Sequence, residues 1–484
     1  KLRLDAENHI LCPGFIDIHT HSDFTVLQCP TSDSKIFQGV TTELAGHCGY
    51  SLFPINPSTF DGLKKFTAFM PGQLDWQWDS VQSFLDRLEK QGLSTNFQTL
   101  VGQGALRIAV MGFGQREADQ AELAAMRELL ARCLDQGAAG MSMGLVYAPG
   151  SFASKTELLA LAEVIRSKDK MLTAHIRDEG DRVEEALREL LEITEATGVK
   201  TQVCHLKAQG RLNWPKMDRL IHMIEETRAK GFDLTFDVYA YTKLNTLLTA
   251  LLPAWAQDGG VDTMLARFAD YGQRSRLLPE LAPIALKYGG WENITVASVN
   301  AAENASVEGC SLAQIAADWG LDPAEAMLEL LIRDKCAVMA VCDCMEESNV
   351  IKALIHPLSM LCSDGKILSR RGVLAQGKPH PRNYGAFPRL LARYVRELGV
   401  LTLPDAIRRM TSLPAQKMGL WDRGLLRPGL KADLVVFDEN TIQDTATFTE
   451  PHQYAAGIDY VIVNGVLTVD KGRHTGALAG QILR

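Results

Sequence analysis

The chain has no apolar run of the roughly 18 residues needed to span a bilayer, no basic stripe and no CxxC pair. The first absence argues against a membrane segment, and the second against a nucleic-acid partner. Internal repeats and low-complexity stretches are missing too, which leaves no sign of a solenoid or a disordered tail. Acidic residues outnumber basic ones, 58 against 50, for a formal net charge of −8. Ten cysteines lie scattered without a compact framework, which reads as reduced thiols in a cytoplasmic protein. In that setting the sequons at Asn293 and Asn304 carry no sugar. Lys1-Leu2-Arg3-Leu4 lacks the charged-then-apolar pattern of a signal peptide. The opening residues read as entry into the middle of a fold, with sequence expected upstream.

What is present is an ordinary globular composition, 46% hydrophobic and 22% charged over 484 residues. That length suits one large domain with a satellite. From residue 14 to 424 short apolar runs alternate with longer stretches of helical period, the pattern of βα units around a parallel sheet. Eight strands are expected, at 15–19, 40–44, 97–101, 139–143, 171–175, 201–205, 233–238 and 359–362. Helical patterns such as 155–167 and 181–196 separate them, so the economical fold is an α/β structure, a (β/α)8 TIM-like barrel. Residues 243–357 are too long for a simple crossover and read as an insertion, which either covers the barrel mouth or is a structural excursion. Residues 425–484 change texture to short β runs with glycine punctuation. With the strand-like residues 3–11, in the segment 1–13, they form a small β-sandwich from both chain ends.

The strongest local signal is Asp17-Ile18-His19-Thr20-His21. Residues i and i+2 of a strand share a face, so His19 and His21 project together toward the C-terminal mouth of the barrel. Imidazole suits zinc and similar divalent ions, although an HxH pair alone is weak. The case comes from recurrence at later strand ends: Cys48 past the second strand, His175 closing the fifth, His205 closing the sixth and Asp364 after the eighth. So many donors at equivalent ends would not gather by chance in a purely structural barrel. His47 competes with Cys48, whereas Cys12, Cys133, Cys204, Cys336, Cys342 and Cys362 read as core.

The segment Pro13-Gly14-Phe15-Ile16-Asp17-Ile18-His19-Thr20-His21 resembles the opening signature of the amidohydrolase superfamily. Further segments are similar to its N-acyl-D-amino-acid deacylase (D-aminoacylase) branch. They are Gly46-His47-Cys48-Gly49, His175-Ile176-Arg177-Asp178-Glu179, His205-Leu206-Lys207, Ser363-Asp364-Gly365 and the run from His380 to Arg389. The resemblance implies one tight zinc on Cys48, His175 and His205, and a weaker second position on His19, His21, Cys48 and Asp364. Cys48 stands where many relatives use a carboxylated lysine. It implies hydrolysis of N-acyl-D-amino acids to a D-amino acid and a carboxylic acid by metal-activated water. Asp364 would serve as general base and then acid.

A substrate carboxylate calls for cations or hydroxyls. Lys207, two residues beyond His205, is placed for this on strand geometry, and the resemblance adds Arg382 and Tyr241, with Tyr239 as a competitor for the last. The basic stretch with Arg370-Arg371 either favours an acidic side chain or is a solvated loop. Two rival functions follow from the same residues: a cyclic-amidase (dihydroorotase- or hydantoinase-like) or deaminase activity, and a catalytically silent barrel acting as a scaffold. The expected partner is a small molecule, with no nucleic acid and no membrane; oligomeric state leaves no mark on the sequence.

Overall fold

The computed structural model describes residues 4, 6–72 and 74–484. Arg3 and Asp5, part of the expected first strand, lie outside the described residues.

Eight parallel strands form a ring. The first, Phe15–Asp17, pairs with the second, Val40–Ala45, and that with the third, Asn96–Thr99 continued by Val101–Gly102. The order continues through Gly140–Gly144, Met171–His175, Lys200–Val203 and Leu234–Val238 to Ser359–Leu361. The ring closes where Asp364 N–H donates to the His19 carbonyl at 3.0 Å and His21 N–H donates to the Gly365 carbonyl at 2.8 Å. This is the expected (β/α)8 barrel. Its strand residues are almost all buried, as strands covered by helices on one face and packed side chains on the other must be. The helices repeat apolar residues at i, i+3, i+4 and i+7: Lys155–Ser167 buries Leu158, Leu161, Ala162 and Ile165.

Between the seventh and eighth strands the chain builds a three-stranded antiparallel sheet, with Met339–Asp343 between Lys243–Leu247 and Ile294–Ser298. Helices including Tyr271–Lys287, Leu312–Trp319 and Pro323–Arg333 accompany it. Both chain ends meet in a five-stranded sheet in which Ile10–Pro13 pairs with Leu434–Phe437, followed by Ile458–Val463, Val466–Asp470 and Arg473–His474. Val436, Tyr460 and Ile462 pack there with Leu4, Ala6, Leu434 and Leu467 as a small core of their own.

Two expected strands stop early. The first ends at Asp17 and the sixth at Val203, each two residues short of its histidine. His19 and His205 therefore stand on the turns that follow, where the backbone is free to re-aim a side chain.

Candidate metal centre

Three of the expected donors sit on backbone in the left-handed region: Cys48 at φ 56°, His205 at φ 33° and Asp364 at φ 46°. Non-glycine residues seldom adopt this conformation, and it costs of order 1 kcal/mol or more at each, a cost concentrated at functional sites. Gly46, at φ 81°, prepares the turn that carries Cys48. A Cβ at Gly46 would lie 2.3 Å from the Leu100 carbonyl oxygen, so only glycine fits there.

These turns bring six side chains together. Ligand atoms of Cys48, His175 and His205 all lie within 4.8 Å of one another, and so do those of His19, His21, Cys48 and Asp364. Cys48 belongs to both sets. Its Sγ is 3.4 Å from His19 Nε2 and 3.6 Å from His205 Nε2. Asp364 Oδ1 is 3.2 Å from His21 Nε2 and 3.5 Å from His19 Nε2.

The far sides of two rings are held by carboxylates. His19 Nδ1 faces Asp237 Oδ1 at 3.2 Å, and His205 Nδ1 faces Glu179 Oε1 at 2.9 Å. A carboxylate on one imidazole nitrogen turns the other toward the site with raised basicity, the arrangement that accompanies metal-ligating histidines. Asp237 is a hub: it also accepts the His205 backbone N–H at 2.7 Å, the Cys362 thiol at 3.1 Å and the Gln202 amide. Among the described residues the Nδ1 atoms of His21 and His175 are buried without a hydrogen-bond partner.

Electrostatics agree with the geometry. Burial opposes ionisation of the Cys48 thiol, but a hydrogen bond from Cys204 and the His19 and His175 rings outweigh it, holding the thiol well below its ordinary value. Burial likewise opposes protonation of His175, yet Glu179 and Cys48 raise it to about 9. Burial would raise Glu179, but His175, Lys207 and His205 hold it well below the carboxylate range. A buried thiolate among carboxylates and imidazoles calls for a cation, and soft sulfur with nitrogen suits zinc. The residues present therefore fit a zinc ion.

His47 is beside Cys48 but outside this cluster's mouth. Its ring stacks on His19 at 4.0 Å, with Nδ1 toward Thr173 Oγ1 at 3.3 Å, and burial with the His19 charge keeps it neutral. Cys204, expected as core, is buried and reaches His47 Nδ1 at 3.8 Å.

The cluster opens into a cavity of about 240 Å³ lined by His21, Cys48, His175, His205, Lys207, Asp364 and Arg382 among others. Leu244, Leu247, Leu251, Leu252, Ile284 and Met339, from the segment between the seventh and eighth strands, form its apolar wall. Arg382 Nη1 approaches Asp364 Oδ2 at 2.8 Å without hydrogen-bond alignment, and its Nε has no partner among the described residues. His380 fixes the backbone behind it, accepting the Arg382 N–H at 3.0 Å through Nδ1 while Nε2 donates to the Lys243 carbonyl at 3.0 Å.

The substrate-side expectations divide. Lys207 reaches the cavity, but not along a strand face, because the sixth strand has already ended. The turn at His205 curls the chain back, placing Nζ 2.5 Å from Glu179 Oε1 and 2.8 Å from His205 Nδ1. Tyr241 does not reach this cavity. The chain turns after Val238, and the Tyr241 ring packs 5.0 Å from His380 and under Arg389 at 4.6 Å, beside a smaller cavity. Tyr239 lines the main cavity instead, beneath Arg382 at 4.6 Å. Arg370 and Arg371 are exposed outside it, with Arg370 stacked on Tyr454 at 5.5 Å, so that stretch is a solvated loop. Lys366, from the same stretch, does line the cavity; burial and the Arg382 charge lower its ammonium to about 8, leaving it cationic at neutral pH. Asp237 and Glu179 carried no expectation. The signals were an acid one residue from the end of the seventh strand and an acid four residues after His175.

The profile of the amidohydrolase family matches residues 4–271 and 375–469. An N-acyl-D-glutamate deacylase of Alcaligenes xylosoxydans xylosoxydans is 35% identical over 463 residues, 96% of this chain and 84% of that protein. The crystal structure of N-acyl-D-glutamate deacylase from Bordetella bronchiseptica, complexed with zinc and a phosphonate mimic of the tetrahedral intermediate, superposes with a TM-score of 0.81. It is 33% identical and covers 99% of this chain and 90% of its own. A D-aminoacylase structure, described for one-metal activation and second-metal attenuation of a binuclear centre, has a TM-score of 0.82. It is 31% identical, covering 100% of this chain and 90% of its own.

Proposed function

The chain belongs to the amidohydrolase family, and on that premise we propose that it is a zinc-dependent deacylase of N-acyl-D-amino acids, releasing the D-amino acid and a carboxylic acid. The observation that carries this reading is Cys48 shared between two donor sets at the floor of a cavity that also presents Arg382. Cys48, His175 and His205 would hold the tight zinc. His19, His21, Cys48 and Asp364 would form the weaker position. When bound, the ion supplies Lewis acidity toward the acyl carbonyl and lowers the pKa of water to about 7.

The remaining work falls to side chains. Asp364 takes the proton of the attacking water and returns it to the departing amine. Arg382 binds the substrate carboxylate, with Lys207 and the Tyr239 ring beside it. Burial would raise Asp364, but Arg382 and His19 hold its carboxyl far below the usual range. A substrate carboxylate that takes up the Arg382 guanidinium relaxes this hold. Asp237 and Glu179 keep His19 and His205 oriented.

A cyclic-amidase activity is disfavoured because Cys48 occupies the shared position and Lys207 meets His205 at Nδ1, the nitrogen opposite the one facing Cys48. The scaffold reading is disfavoured because all six donors are present and assembled. Ten free thiols fit a cytoplasmic setting, and among the described residues no helix is long and apolar enough to cross a membrane.

The test pairs elemental analysis of protein purified without added metal with ninhydrin detection of amine release from N-acetyl-D- and N-acetyl-L-amino acids. The expected result is about one zinc per chain and release confined to the D series. No metal and no release from either series would sink the reading.

A further inference from the structure

Five cationic side chains line the cavity: Arg177, Lys207, Lys287, Lys366 and Arg382. Four of them are matched by carboxylates. Arg177 Nε is 2.9 Å from Glu189, Lys207 Nζ is 2.5 Å from Glu179, and Lys287 Nζ is 2.8 Å from Asp181. Arg382 Nη1 is 2.8 Å from Asp364. Among the described residues the Lys366 ammonium has neither a salt-bridge nor a hydrogen-bond partner; it faces the Phe69 ring at 5.8 Å. This is not the looseness of a mobile loop. The Lys366 backbone N–H donates to Asn383 Oδ1 at 2.7 Å, and its carbonyl accepts from Ser34 Oγ at 3.2 Å.

Asp364 acts on the Lys366 charge from beyond salt-bridge distance, and a half-buried cation without a direct counter-ion is unfavourable unless a ligand completes it. Lys366 also stands at a junction. The main cavity and a neighbouring one of about 360 Å³ share Phe69, Asn245, Met339, Lys366 and Asn383. A group extending past the reacting amide toward Lys366 therefore has room. Arg382 is already the partner of the α-carboxylate, since its planar fork matches a carboxylate beside Asp364.

We propose that Lys366 sets side-chain specificity, and that the preferred substrates are N-acyl-D-amino acids with an anionic side chain, whose second carboxylate rests on the Lys366 ammonium. The proposal rests on the deacylase reading. It distinguishes Lys366 from the neighbouring Arg370 and Arg371, whose side chains are outside the cavity.

The experiment compares kcat/KM of the zinc-loaded enzyme for N-acetyl-D-aspartate and N-acetyl-D-glutamate with that for N-acetyl-D-leucine and N-acetyl-D-methionine. Wild-type protein, Lys366→Gln and Lys366→Arg are measured. The acidic-to-neutral ratio is expected to favour an acidic substrate in wild type. It should fall about 10- to 100-fold in Lys366→Gln, the size of one charge-assisted contact, mainly through KM, and largely recover in Lys366→Arg. Equal losses on all four substrates would mean that Lys366 serves the shared α-carboxylate, and would overturn the proposal. A wild-type preference for the neutral pair would overturn it too, whether or not the variants fold. An enzyme inert toward every N-acyl-D-amino acid would instead bring down the deacylase reading, and this inference with it.

Discussion

At the scale of single residues, the turns after the strands separate side chains that sequence proximity groups together. Cys48 faces the cavity while His47, one position earlier, is stacked beneath His19. Asp364 combines contact with two histidines and with Arg382, which makes it the group whose loss separates metal binding from turnover. On the proposed roles, Asp364→Asn should retain bound zinc, by elemental analysis, and lose about 10²- to 10⁴-fold in kcat; near-normal turnover would remove Asp364 from the proton-transfer role. Asp23 offers a stability experiment. Its carboxyl is fully buried, and burial raises its pKa from 3.8 to about 7 against the opposing pull of His21 and of the Asp23 and Gly46 backbone N–H groups. The folded state thus binds more protons than the unfolded one between these values, so this residue's contribution is fully present below pH 4 and lost as pH rises through about 7. The melting-temperature difference between Asp23→Asn and wild type should therefore grow in favour of the variant from pH 5 to pH 8. A difference independent of pH would refute the assignment.

At the scale of elements, the barrel strands provide direction and the loops provide chemistry. The ring fixes where eight strand ends emerge, and each donor lies at or just beyond such an end. The second strand shows how tightly the loop is specified, because Gly46 packs against the third strand at Leu100. Gly46→Ala forces both a strained φ and a clash with backbone, and so should lower the melting temperature by several degrees and reduce bound zinc. Normal zinc content in this variant would mean that the Cys48 turn tolerates movement. The insertion follows the opposite logic: Leu244, Leu247 and Met339 give the cavity an apolar wall while contributing none of the six donors.

At the scale of the whole molecule, the main apolar core runs from Cys12 to Val469, and Cys48 is the one of the six donors that belongs to it. Removal of metal by a chelator should abolish turnover yet leave a folded chain by circular dichroism. Its melting temperature should fall by the amount that ligand linkage predicts and return with added zinc. Unfolding on chelation would show instead that the donors are needed for the fold.

The (β/α)8 barrel, the β-structure shared by both chain ends and the six residues that cluster at the strand ends were legible in the sequence, because periodicity and strand-end placement are local properties. On the substrate side, Tyr239 and not Tyr241 lines the main cavity. Alternation along a strand cannot be extended past its end, and the chain turns at Val238. Lys207 reached the expected place by an unexpected route, through the turn at His205. Asp237 and Glu179 stayed unassigned because a carboxylate becomes an orienting group only when a distant ring is brought against it, His19 being 218 positions from Asp237. Local pattern determined which residues could bind a metal. Only the tertiary structure decided which nitrogen of each ring faces inward, which cations are already neutralised, and that among the described residues the Lys366 ammonium has no salt-bridge partner, since these follow from distances between segments far apart in the chain.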